Sequence, residues 1–222
     1  MYRGATVFQP PFVPVTIQFT TGTGAQLVVP IGATLVLSEC FGAGGGGNFV
    51  NGTTNLNFTG GGGAGYSADQ RACLGGDILT YTVGQPGAGA LSANNTGTAG
   101  GDSTISGTMT GGGSISMVAH GGAGAPINGT QAAGGTAAGG NSANGTGQNG
   151  TVGQPIAGKG GDATPAGNFV SPGPGGYNDT VSNPHVNGGS PSGGGGGGHQ
   201  SGSGGSSQGG NGGVGIVSFH FT

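Results

Sequence analysis

Seven short stretches stand out along the chain because apolar and polar side chains alternate in them, or because β-branched and aromatic residues run together. They are VTIQFT (15–20), AQLVVP (25–30), ATLVLSECF (33–41), DILTYTV (77–83), DSTISGTM (102–109), SISMVAH (114–120) and GIVSFHFT (215–222). Alternation with period two puts successive side chains on opposite faces of an extended backbone, and glycine or proline bounds these stretches, so all seven are predicted strands. About ninety residues separate the sixth stretch from the seventh, so the last strand is expected to return to a sheet begun by the N-terminal half, as in sandwich and jelly-roll topologies.

The first fourteen residues read differently. Tyr2, Phe8 and Phe12 lie among three prolines, a composition that fixes an extended path and cannot pair as a central strand. This segment is expected to be an arm whose aromatic side chains dock on a neighbour or a symmetry mate. The competing reading folds it onto its own sandwich.

Between the strands lie glycine blocks. One occupies 42–66, and a longer tract spans 121–213 with almost no helix or strand formers. A structureless loop of that length is foreign to a compact unit. Order becomes possible if the backbone forms left-handed extended helices of three residues per turn, which leave N–H and C=O groups pointing outward. Side-by-side helices of this kind can pair those groups only where no side chain holds the backbones apart. GGNGGVG (209–215) keeps a GGX frame, GQNGTVG (147–153) a GXX frame, and GGGGGG (193–198) suits the middle of a bundle. The expected organisation is an arm (1–14), a β-sandwich (15–120) with a glycine-rich insertion at 42–66, a polyglycine helix bundle (121–213) and a closing strand (214–222).

With 62 glycines and 12 prolines among 222 residues, the default reading would be disorder. Only nine residues are charged, however, so the self-repulsion that keeps a solvated tail expanded is missing. A net charge of −3 with three cationic side chains leaves too little to neutralise phosphates, which argues against nucleic acid as a partner. No window approaches eighteen apolar residues, so no membrane span is expected, and the N-terminus has no secretory pattern. The glycine frame shifts repeatedly, which excludes collagen. Cys40 and Cys73 flank predicted strands; they read as two buried thiols made in a reducing compartment, with a disulfide left open.

Candidate chemistry is sparse. GQPIAGKG (153–160) approaches a phosphate-binding loop, but glycine stands where the magnesium-binding hydroxyl belongs. GSSQG (205–209) spaces Ser207 like a nucleophile elbow without the strand and helix that strain one. Three GGD triplets end at Asp77, Asp102 and Asp162, and these acids are expected to bond backbone N–H groups at turns. His120, His185, His199 and His220 have no paired spacing, and the N-X-[ST] matches, Asn51, Asn128 and Asn144 among them, follow from composition. No enzyme, cofactor or metal is expected.

The order of blocks carries a resemblance: VPIGATLVLSECFGAGGGG, GGGGAGYSA, TYTVGQPGAG, GGDSTISG, VAHGGAGA, a long Gly/Asn tract and finally GGNGGVGIVSFHF. In this order the chain resembles the glycine-rich domains of phage and bacterial surface proteins, which are similar to the extracellular glycine-rich domain of anaplastic lymphoma kinase receptors. In texture its tract is also similar to T-even-type phage adhesins and springtail antifreeze proteins. The resemblance implies an all-β protein, a jelly-roll-like antiparallel β-sandwich fused to packed polyglycine type II helices. A structural virion component is then expected: a phage tail, fibre or capsid-decorating protein, folded in the host cytoplasm, contacting other virion proteins and its own copies. A host receptor or glycan would be met by the insertions at 48–58 and 177–187, with Asn48, Asn51, Asn57, Tyr177, Asn183 and His185 as candidate contacts. The alternatives are an ice-binding protein, or a glycine-rich adhesin domain at a bacterial surface.

Overall fold

The computed structural model describes residues 11–51, 58–92, 94–153, 159–163, 173–176, 186–195, 198–200 and 208–222. Among them there is no helix. The strands are β1 (Val15–Phe19), β2 (Ala25–Val28), β3 (Leu35–Phe41), β4 (Phe49–Asn51), β5 (Phe58–Thr59), β6 (Tyr66–Ala72) and β7 (Ile78–Thr82). They continue as β8 (Ser103–Met109), β9 (Gly113–Ala119), β10 (Ala137–Ala138), β11 (Ala143–Gly145), β12 (Val152–Gly153), β13 (Gly198–Gln200) and β14 (Ile216–Phe221). Each of the seven predicted stretches overlaps one of these strands.

Two five-stranded antiparallel sheets form, with orders β1-β14-β3-β6-β11 and β10-β9-β8-β7-β2. The last strand does return: β14 pairs with β3 on one side and with β1 on the other. The alternation in IVSFHF sends Val217, Phe219 and Phe221 into the shared core, where they meet Val36, Leu79, Tyr81, Ile105, Ile115 and Met117. Phe19 stacks on Tyr81 with ring centroids 4.3 Å apart, and Phe219 meets both rings edge-on. Each such aromatic contributes roughly 1.5–3 kcal/mol through burial. The other face of the first sheet is covered too, since Phe41, Tyr66 and Ala68 pack there with Ala163 from the glycine-rich tract. This double covering explains why LVLSECF in β3 shows no clean alternation.

Two features were not anticipated. β6 lies in YSADQRA, a run with two charges, and the 121–213 tract supplies edge strands β10 and β11 to the two sheets. Asp69 and Arg71 lie two residues apart on β6 and so share one face, the face of Cys40 and Val36 on β3. There the carboxylate accepts from Arg71 Nε at 2.8 Å and Nη2 at 3.1 Å, and Arg71 Nη1 also donates to the Gly112 carbonyl of the opposite sheet's β8–β9 turn. Paired this way, two charges fit into a sandwich interior.

The glycine segments follow a rule of three. In residues 42–48, the N–H groups of Gly42, Gly45 and Asn48 donate to Gly65, Gly62 and Thr59. Those of Ala43 and Gly46 donate to Gly101 and Thr98, and those of Gly44 and Gly47 to Gly213 and Gly210. Every third residue therefore returns to the same neighbour. The carbonyls obey the same period: Ala43 and Gly46 accept from Gly122 and Ala125, Gly44 and Gly47 from Gly87 and Ala90, and Gly45 from Gly195. Six backbone segments thus enclose one thread, and residues 41–50 are buried throughout.

A second thread, residues 59–65, runs antiparallel to the first with the same pattern. Gly60 and Gly63 donate to Thr151 and Gln148, Gly61 and Ala64 to Gly195 and Ser192, and Gly62 and Gly65 to Ala123 and His120. Buried backbone groups must be paired, and here the pairing comes from other threads. No side chain fits in between. A methyl group on Gly44, Gly45 or Gly62 would sit 2.0 Å from the carbonyl oxygen of Gly193, Ala123 or Ala133.

Cys40 and Cys73 are free and buried, both in the main core. Cys73 N–H bonds the carbonyl of Thr34, six residues before Cys40 along one extended strand. That offset is about 20 Å at roughly 3.3 Å per residue, several times the Cα separation a disulfide spans. Burial pushes the Cys40 thiol up to about 12, and burial together with the negative charge of Asp77 raises that of Cys73. The native protein, prepared without reductant, is expected to leave an aromatic disulfide reagent unreacted at neutral pH, and the denatured protein to titrate both thiols. Thiols missing after denaturation would contradict this arrangement.

Candidate functional site

Several connections between threads lie at the thread ends remote from the sandwich. β4 lies parallel to β13, β5 pairs with β12, and Phe49 forms a bridge with Asn95. Val50 and Phe58 pack together there, buried, while Leu91 and Ile127 are exposed. Of the insertions singled out in the sequence, residues 48–51 and 58 of the first lie at this end, while 52–57 of the first and 177–185 of the second lie outside the described residues.

Asn48 requires a correction as a surface contact. It is completely buried; its Nδ2 donates to the Pro126 carbonyl at 2.8 Å and its Oδ1 accepts from Thr59 N–H at 2.9 Å. The amide replaces a backbone partner at a point where the threads diverge, so it fixes the base of the insertion. Asn51 closes β4 opposite Gln200. Asn57, Tyr177, Asn183 and His185 lie outside the described residues, as do Tyr2 and Phe8 of the arm. Phe12 is half-buried and packs against the main core of its own chain, with its ring beside Gly32. Residues 154–158 of the phosphate-loop-like stretch and Ser207 also lie outside the described residues.

The GGD acids do bond backbone N–H groups. Asp77 Oδ2 accepts from Leu74 and Thr110, both at 2.9 Å, and its Oδ1 accepts the Thr110 hydroxyl at 2.7 Å, tying the β6–β7 turn to the β8–β9 turn. Asp102 accepts from Gly121 N–H and stands 3.0 Å from His120 Nδ1, where the chain leaves β9 for the threads. Asp162 accepts from Gly175 N–H and pairs with Lys159.

The N–H groups of Leu74 and Thr110, with the Thr110 hydroxyl, hold Asp77 below the ordinary value of 3.8. Burial pushes Asp162 up, but the Gly175 N–H and the Lys159 ammonium outweigh it and leave that carboxyl lowered as well. A depressed folded value means that the stabilisation is complete above the ordinary carboxylate range and is lost as pH falls through the folded value. Urea midpoints of the wild type are therefore expected to fall below about pH 4, and those of Asp77→Asn to lie lower at neutral pH and to change less with acid. Parallel curves would refute the role of Asp77.

Sequence reasoning missed one buried polar contact, Tyr66 Oη donating to Glu39 Oε1 at 2.5 Å on the thread-covered face of the first sheet. Its signal was available only through the unpredicted strand β6, which puts Tyr66 opposite Phe41 and two positions from Glu39's partner Ala68. Among the described residues no three His, Cys, Asp or Glu side chains gather to hold a metal ion. Among the described residues there is no helix long and apolar enough to cross a membrane.

A β-sandwich continued by hydrogen-bonded glycine threads, with the charged side chains of the described residues engaged in internal bonds, defines a glycine-packed all-β protein. The chain belongs to the glycine-rich domain family, whose model matches residues 20–222. No curated protein sequence matches it.

Proposed function

We propose that the protein is a structural component of a virion, a phage tail, fibre or capsid-decorating protein that holds variable loops on a rigid stem toward a host surface. The stem is a bundle of hexagonally packed polyglycine type II helices, and the sandwich that anchors it is jelly-roll-like. The observation carrying this reading is the pair of buried threads, each wrapped by backbone segments with a period of three. A left-handed extended helix with three residues per turn aims successive N–H groups in three directions, which accounts for that period. Such a body is stiff, nearly uncharged and free to vary only at its ends, as a display platform requires. Its contacts are other virion proteins, further copies of itself and a receptor or glycan on the host.

The test is biochemical fractionation. Particles from the phage whose genome encodes the chain, purified through a density gradient, are expected to contain it in stoichiometric amount and to bind host cells through it. Finding the chain only in the lysate would overturn the reading. Exchanging 48–58 or 177–187 between family members is expected to change which cells bind, and an unchanged host range would reject the loops as the contact surface.

A further inference from the structure

We propose that the sandwich end remote from the threads is a docking surface for the N-terminal arm, residues 1–10, of a second copy of this chain. This rests on the assembly role given to the protein above and names the surface that would perform it. The turn at 29–34, the turn at 73–77, the turn at 110–112 and residues 11–14 all lie at this end, because β3, β7 and β9 run from it toward the threads and β6 and β8 run back. Nine large hydrophobic residues are exposed among those described, and six gather here: Val13, Val15, Val28, Ile31, Leu74 and Ile78. Ile31 is 82% exposed and Val13 77%, more than isolated surface residues of a sandwich need to be.

Close approaches link neighbouring parts of this end. Val28 lies directly opposite Ile78 in the β2–β7 register. Gly75 approaches Ile31 so closely that a methyl group on it would lie 2.6 Å from the Ile31 Cα, which brings Leu74 alongside. On the other flank Gly32 meets the Phe12 ring, with Val13 next in the chain. β1 and β2, which both reach this end, are edge strands of their sheets.

The occupant is argued from the chain that leaves here. Ten residues precede Pro11, a reach of about 30 Å when extended, and they carry Tyr2, Val7 and Phe8. Pro10 and Pro11 restrict φ at two successive positions and favour an extended Gln9, which stiffens the segment, and Phe12 already sits at this end against its own core. The arm's charged side chain, Arg3, is opposite in sign to Asp77, the acid at this end. A second copy offers an apolar arm to this apolar end.

The experiment is sedimentation of the purified chain, which reads association apart from any virion. The full chain is expected to self-associate. Deleting residues 2–10 should weaken association at least roughly a hundredfold, and Ile31→Asp with Leu74→Asp by a similar factor, with circular dichroism unchanged in both. Mixing the two variants is decisive: one retains the patch and the other the arm, so a one-to-one complex is expected to form. A monomeric full chain, undiminished association after the deletion, or failure of the mixture to form a complex would each overturn the proposal. Self-association without incorporation into particles would instead leave this surface standing and remove the virion role.

Discussion

Gly45→Ala is expected to destroy cooperative folding of the threads, at a cost above about 3 kcal/mol. The added methyl group would stand 2.0 Å from the Ala123 carbonyl oxygen and 2.5 Å from its carbon. These are backbone atoms, so no side chain can swing aside, and Ala123 could retreat only by breaking the bond from Gly62 N–H to its carbonyl. Gly62 in turn is bonded by Gly45, so the damage passes from one thread to the next. Gly24→Ala is the control: nothing lies within 4 Å of its methyl position, and its φ of +58° should cost only about 1–2 kcal/mol. Urea denaturation compares the two, and equal midpoints for Gly45→Ala and wild type would show that the threads are not in contact.

Arg71→Met is expected to destabilise the sandwich by about 2–3 kcal/mol, because it takes the guanidinium from the buried Asp69 carboxylate and leaves it the Asn141 N–H at 3.3 Å. The Asp69 side chain has no exposed surface, while Arg71 keeps a quarter of its own in water, which places the loss at the lower end for buried pairs. Methionine preserves most of the stem's packing, so the effect reports the guanidinium. Adding Asp69→Asn removes the stranded charge and should recover about half of the loss. If the double variant were no more stable than Arg71→Met alone, the loss would lie in the Gly112 contact instead.

The strands that were legible from the sequence were those whose burial could be read from apolar residues alone. DSTISGTM sends Ile105 and Met109 inward with period two, and β8 follows that pattern. β6 was illegible because its inward positions include Asp69 and Arg71, which look like solvent-facing residues until each is known to neutralise the other. Asn48 was misread for a related reason: an asparagine beside a glycine run suggests a loop, yet its amide substitutes for backbone partners between the threads. For the two cysteines, sequence left pairing open, and only the register of Cys73 against Thr34 separates them.

Composition and periodicity determined the all-β class, the strands that build the main core and the need for glycine wherever backbones touch. Those properties are local, since they follow from what each residue permits its own backbone and its two faces. Which thread lies beside which was decided by tertiary structure, as were the braces at Asp77, Asp102 and Asp162 and the gathering of exposed aliphatic residues at one end. Glycine carries no side chain to encode a partner, so the choice among equivalent backbone donors falls to the sandwich, which sets where each thread begins and ends.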